Sequence, residues 1–415
     1  MTPALPPRHW LAYGALGLPL AMAALPVYVH VPRLYADEVG LNLALLGFIL
    51  LFARFADAGL DPILGWWSDR QHARRGMILL ALPFLALGML ALMHPPQRYA
   101  AIWLVGALLL TYFGFSLATV ALQAWGAELG QSPTQRTLLT ASREGFGLAG
   151  VVAASVLPGL LALDLGLGLS RLSWIFVITL GVLAAVTLLG TPRAAPEQTM
   201  TPTSPAPPQA ALRDPAYRRL LVIYGASGIA AALPATLVLF FVADVLQAKS
   251  LSGAFLALYF VAGALGLPLW VKLARRIGRV RAWIAGMLLS VLAFVWAFGL
   301  GAGDTYAFAA ICVLSGFALG ADLALPAALL ADLAQREGST TRAGGYFGWW
   351  GLVTKLNLAL AAGIGLPLLA ALGYRPNESG GAAALAAVYC LMPVLFKLIS
   401  AALAWRWRHT LEVSQ

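Results

Sequence analysis

Arg54, Asp57 and Asp61 stand three and four residues apart in the stretch Leu51-Phe-Ala-Arg54-Phe-Ala-Asp57-Ala-Gly-Leu-Asp61-Pro62-Ile-Leu-Gly65. On a helix this spacing sets all three on one face. The residues between them are apolar, and an ionised side chain is expensive against hydrocarbon, so that face must meet protein or water. Two carboxylates and one guanidinium leave it one charge negative, which suits a cation. Asp57 and Asp61 together could ligate Na+, or one of them could hold a proton; the residues do not choose. Pro62 cannot donate to the carbonyl of Ala58, and that oxygen is left to accept from water or a cation. The blander alternative, a static network between Arg54 and the aspartates, explains one carboxylate better than two.

Further ionisable residues lie in apolar stretches. Lys355 needs a partner, and the carboxylates of the Arg54–Asp61 face are candidates for a charge or coupling role; snorkelling toward water is the alternative. Asp322 could belong to a substrate site or be a second protonation site. Lys397 has no acidic neighbour in the sequence. His9, His30, His72, His94 and His409 fall at or outside the ends of the apolar runs, and no serine–histidine arrangement appears. No enzyme chemistry and no cofactor are therefore expected, beyond Na+ or H+ as a coupling ion and Asp57 and Asp61 as metal ligands if the ion is Na+. Cys312 and Cys390 both lie in apolar runs and read as inert buried thiols.

These residues are positioned by long apolar segments. The 415-residue chain is 60% hydrophobic and 11% charged, against about 25% charged in a soluble domain. Twelve spans are expected, at 11–31, 42–64, 77–93, 100–127, 143–163, 172–190, 219–243, 250–272, 281–300, 305–331, 344–371 and 382–404. An all-α membrane protein of two pseudosymmetric six-helix bundles follows. The bundles are 1–190 and 216–415, joined by a proline-rich linker at 191–215. The net charge of +10 is a topology signal and not a nucleic-acid footprint. Nineteen arginines and lysines fall at the termini and on one set of connections, and five on the opposite set. Both termini are thus expected in the cytoplasm.

A weak repeat supports the division. Ala127-Glu128-Leu129 followed by Arg136 is echoed by Ala331-Asp332-Leu333 followed by Arg342, each between the fourth and fifth helix of its half. The basic connection Arg70–Arg75 is echoed by Lys272–Arg281. Asp69, Arg70, Arg74, Arg75, Glu128, Arg136, Asp332 and Arg342 read as a cytoplasmic gate. Gly65 permits close helix approach, and Glu128 and Asp332 are expected to pair with basic groups of their own loops.

The stretch from Arg54 to Gly65 resembles the helix 2 signature of the glycoside–pentoside–hexuronide:cation symporters, the melibiose permease family within the major facilitator superfamily. Similar matches are Ala127-Glu128-Leu129 with Arg136–Arg143, Leu330-Ala331-Asp332 followed by Gly345–Trp350 and Lys355–Leu360, and Tyr13-Gly14-Ala-Leu-Gly17 at the opening. The resemblance implies alternating access with Na+ or H+ moved beside a solute. It places the cation carboxylates on Asp57 and Asp61, the adjacent arginine on Arg54, the helix 11 lysine on Lys355 and an arginine near the sugar site on Arg143. Its sugar-reading positions fall instead on Leu18, Pro19, Thr119 and Gln123, which lack the carboxylates that would grip pairs of hydroxyls. The expected protein is a monomeric symporter of a small solute in a bacterial inner membrane. The alternative is a proton-driven exporter or exchanger of an amphiphilic or lipid-like solute.

Overall fold

The computed structural model describes residues 6–37, 39–71, 73–96, 98–162, 164–192, 208–336, 343–374 and 381–412. Among them twelve helical rods and no strand are found. Rod α1 runs in pieces, Pro7–Ala15, Gly17–Leu25, a π-helical turn Pro26–His30, and Val31–Asp37. Then come α2 (Leu43–Gln71), α3 (Arg74–Met93), α4 (Ala100–Leu129), α5 (Pro133–Leu161) and α6 (Leu165–Gly190). The second six are α7 (Pro215–Phe240, with a π-helical turn Phe241–Val245), α8 (Ser252–Ile277), α9 (Arg279–Ala297), α10 (Thr305–Arg336) and α11 (Ala343–Ala371). The last, α12, comprises Ala382–Ala386, a π-helical turn Ala387–Leu391, and Met392–Leu411. Among the described residues, eight helices are long and apolar enough to cross a membrane by length and composition.

Local chemistry sets several boundaries. Helix α5 begins at Pro133, ten residues before the apolar run, because Ser132 accepts from the Gln135 amide and proline fits the first helical position. Arg136 and Arg143 are therefore helical, not part of a connection. Asp214 and Pro215 start α7 in the same way, after a 3-10 turn at Pro208–Arg213. Most of the expected linker, 193–207, lies outside the described residues.

The chain forms two compact units. One holds Met1–Ala211 with Ala334–Leu352, the other Leu212–Leu333 with Val353–Gln415. The opening of α11, assigned by sequence to the second half, thus groups with the first unit. Within that unit α3 and α4 approach through small residues: a methyl at Gly88 would lie 2.4 Å from Thr111 Oγ1, and one at Gly114 2.5 Å from the Leu85 amide. Each unit seats its first helix alike. Tyr13-Gly14-Ala15-Leu16-Gly17 opens α1 and Tyr224-Gly225-Ala226-Ser227-Gly228 lies in α7. Thr187 of α6 donates to the Ala12 carbonyl at 2.7 Å, as Ser400 of α12 donates to the Ile223 carbonyl at 2.9 Å. Cys312 and Cys390 are buried thiols.

Candidate functional site

On α2 the periodicity separates two faces. Phe52, Phe55 and Ile63 are more than half exposed, as lipid-facing positions are, whereas Asp57 and Asp61 are each 2% exposed. Asp57 Oδ1 accepts from Ser116 of α4 at 2.8 Å. Asp61 is covered by the start of α11, where a methyl at Gly351 would lie 2.4 Å from its Oδ2 and one at Gly348 2.4 Å from its carbonyl oxygen. Pro62 stands inside the helix and leaves the buried Ala58 carbonyl without its usual donor. Arg54 is half-buried on the same helix. Ser116, Thr119 and Gln123 recur at helical spacing on α4. The Thr119 hydroxyl is buried with no hydrogen-bond partner among the described residues, and Gln123 is half-buried. Sequence reasoning missed Ser116; its place one turn before Thr119 is the signal that could have found it.

Arg143 of α5 is half-buried and ion-paired with Glu144. Lys355 belongs to the second unit, beside Thr354, whose hydroxyl bonds Tyr224 at 2.9 Å. Asp322 is gripped by Lys397 at 2.5 Å, the Trp283 indole at 2.9 Å and Ser227 at 3.2 Å. Lys397, solitary in the sequence, thus has its acid on α10. A cleft of about 330 Å³ lined by Leu34, Met93 and Ser170 holds none of the predicted site residues. Among the described residues no group of three or more metal-ligating side chains is found.

Residues expected to form a cytoplasmic gate fall in two ion-paired clusters, one per unit. Arg74, the first residue of α3, donates to Glu128 at 2.7 and 2.9 Å, to Asp69 at 2.8 Å and to Ser68. Asp69 also accepts the Gly344 and Gly345 amides, both at 2.7 Å, so that it caps α11. In the second unit Arg279, the first residue of α9, pairs with Asp332 near the end of α10. Glu128 and Asp332 were expected to pair within their own loops; instead both grip the arginine that opens the preceding helix. Antiparallel packing of α3 on α4, and of α9 on α10, brings those ends side by side. Arg75 donates to the Thr191 carbonyl and lies 5.0 Å over Trp125, while exposed Arg70 lies 4.6 Å over Trp66. Arg342 lies outside the described residues.

These groups stand beyond the apolar stretches, where burial and charge compete. Burial pushes the Asp69 carboxyl up to about 6, against the lowering pull of Arg74 and the two glycine amides. Burial acts to lower Arg74, but Glu128 and then Asp69 outweigh it and hold its charge more firmly than usual. Burial brings Arg136 down to about 10.

A family profile described as MFS/sugar transport protein matches residues 11–410. The chain belongs to this family. It is a multi-pass membrane protein of a transport family, not an enzyme family. An uncharacterized symporter of Synechocystis sp. is 30% identical over 174 residues, 37% of this chain. The match spans about a third of that relative's length, 31%. The fold is similar to a bacterial homologue of the iron transporter ferroportin in an outward-facing state (TM-score 0.73, 17% identity, 98% of this chain and 100% of that one). It is also similar to the E. coli fucose:proton symporter (TM-score 0.71, 13% identity, 94% and 98% covered). The human organic anion transporter MFSD10 aligns with a TM-score of 0.66 at 18% identity, covering 98% and 100%.

Proposed function

We propose that the chain is a secondary active transporter working by alternating access, a symporter that moves a small solute with Na+ or H+. Asp57 and Asp61 form the coupling-ion site in this reading. The supporting observation is their 2% exposure on the protein-facing side of a helix whose opposite side is apolar and exposed. A buried carboxylate pair in a membrane helix is costly unless it binds something. Ser116 orients Asp57, and the Ala58 carbonyl is a further oxygen available to the ion. Arg54 and Lys355 serve as charge partners, and Thr119, Gln123 and Arg143 contribute to the solute site. Asp69, Arg74 and Glu128 with Arg279 and Asp332 are gate contacts that break and re-form in the cycle.

The finer membership, in the melibiose permease-like cation symporters, draws on the Arg54–Gly65 signature, and symport agrees with the names of the Synechocystis relative and the fucose:proton symporter. The bacterial inner membrane with cytoplasmic termini is the location this reading takes. Uptake into proteoliposomes under imposed Na+ or H+ gradients tests it. Asp57→Asn and Asp61→Asn should each abolish gradient-driven accumulation while the protein stays folded, and transport indifferent to both gradients would remove the proposal. A second reading, export or exchange of an amphiphilic solute, draws on Leu18 and Pro19, which offer α1 no hydroxyl-binding group. Selective protection by sugars in a mixed sugar and lipid competition panel would count against it.

A further inference from the structure

The Lys397–Asp322 pair brings together α7, α9, α10 and α12 of the second unit. Its carboxylate accepts three donors: Lys397 Nζ at 2.5 Å on Oδ2, and Trp283 Nε1 at 2.9 Å and Ser227 Oγ at 3.2 Å on Oδ1. Lys397 also donates to Ser227 Oγ at 2.8 Å. Tyr259 of α8 lies within electrostatic reach of the carboxylate.

The repeat shows what the scaffold itself requires here. Ser227 stands in Tyr224-Gly-Ala-Ser227-Gly where the first unit has Leu16 in Tyr13-Gly-Ala-Leu16-Gly. Lys397 lies one turn before Ser400, as Ala184 lies one turn before Thr187, and those two hydroxyls make the equivalent bond to the first helix. Trp283 stands four residues after Arg279, as Ile78 stands four after Arg74. Leu16 and Ile78 are 0% exposed and Ala184 is 1% exposed, so the first unit closes the same place with hydrocarbon. The α4 helix holds no acid except Glu128 at its end. A buried ion pair replaced by apolar residues often leaves stability unchanged or higher. The second unit therefore retains a buried and a half-buried charge where its own repeat has hydrocarbon.

The two charges also differ in access. The Lys397 side chain is 2% exposed and the Asp322 side chain 15%. Of the two groups the carboxylate is the more exposed, and the ammonium is covered. From this arrangement we propose that Asp322 is a proton-binding site of the second unit, separate from the Asp57–Asp61 pair, with Lys397, Ser227 and Trp283 as positioning residues. The proton arrives from water at Asp322 Oδ2, and no other bond is made or broken. The pair, neutral before, then bears the single positive charge of Lys397. The ammonium loses its charged acceptor on α10 and keeps Ser227 Oγ on α7, so protonation weakens the α10–α12 contact first.

The test is infrared difference spectroscopy of the purified full chain between acidic and neutral pH, following the carbonyl band of protonated carboxyl groups. Wild type and the double variant Asp57→Asn/Asp61→Asn should both show a band that is absent from Asp322→Asn. It should also be absent from Asp322→Leu/Lys397→Met, which repeats the first unit's apolar lining. Lys397→Met alone should extend the band toward higher pH, because the carboxylate loses the cation that favours its charged form. If Asp322→Asn fails to give a cooperative melt, the apolar double variant reads out the loss. A band unchanged in either folded variant overturns the proposal, and failure of both variants to fold does so too, because the pair would then be a structural requirement.

Discussion

Arg74 is a single guanidinium shared by two acids, and its removal tests whether Arg74, Asp69 and Glu128 are one electrostatic unit. Arg74→Ala leaves Asp69 and Glu128, whose side chains are 10% and 13% exposed, without the cation between them. Removing one partner of a buried pair costs ~3–5 kcal/mol. Glu128→Gln is milder, since Arg74 keeps Asp69 and Ser68, and it should cost ~1–3 kcal/mol, the scale of a hydrogen bond to a charged group. The double variant Arg74→Ala/Glu128→Gln relieves the repulsion, so the costs should fall short of adding by ~1–3 kcal/mol. At roughly 2–4 °C per kcal/mol for a unit of this size, Arg74→Ala lowers the melting temperature by ~6–20 °C in intrinsic-fluorescence melts in detergent. Strict additivity, or an Arg74→Ala protein melting within a degree of wild type, would refute the shared-cation reasoning.

Three further outcomes follow from named contacts. Burial holds Asp69 at about 6, above the ~3.9 of a solvated aspartate, so the native state binds that proton more tightly than the unfolded chain does. The stabilisation is complete below about pH 4 and is lost as pH rises through about 6, a change of up to ~3 kcal/mol; melts across this window should slope downward with pH in wild type and flatten in Asp69→Asn. A methyl at Gly65 would lie 2.1 Å from the Gly344 carbonyl oxygen, whereas nothing lies within 4 Å of one at Gly59. Gly65→Ala should therefore cost ~1–3 kcal/mol by overpacking against backbone, and Gly59→Ala should melt within ~2 °C of wild type. Arg279→Ala leaves Asp332, with a 0% exposed side chain, without its cation and should cost ~3–5 kcal/mol by chemical denaturation; a loss under ~1 kcal/mol would show that the pair is dispensable.

Most of the helices were legible because crossing a bilayer imposes length and apolarity together, and eight of the described helices satisfy both. The ends were less legible. Arg136 sits in a polar stretch that hydropathy assigns to a connection, yet Ser132 and Pro133 start α5 ahead of it. The Asp57 and Asp61 face could be read because a 3.6-residue period is a property of one segment. Asp322 with Lys397, 75 residues apart in sequence, could not, because their meeting depends on how α10 and α12 pack. The same limit explains Glu128 and Asp332. Their charge and position at helix ends were evident, but proximity in sequence favoured their own loops, whereas antiparallel packing delivered Arg74 and Arg279.

The first unit is assembled from two separated parts of the chain, and this bears on its biosynthesis. Its main body ends at Ala211, but the α11 segment that covers Asp61 and receives Asp69 ends at Leu352. About 140 residues of chain separate the two, and at about 5–20 residues per second the ribosome needs roughly 7–28 s to supply them. Through that interval the small-residue face of α2 at Gly65 and the carboxylate of Asp69 are already made, while the backbone amides of Gly344 and Gly345 do not yet exist. The nascent first half must therefore shelter a partly buried acid without its cap, and Arg74 and Glu128, both translated by then, are the groups on hand to do so. A ribosome stalled between these points displays the first unit without the opening of α11, residues 343–352, that completes it.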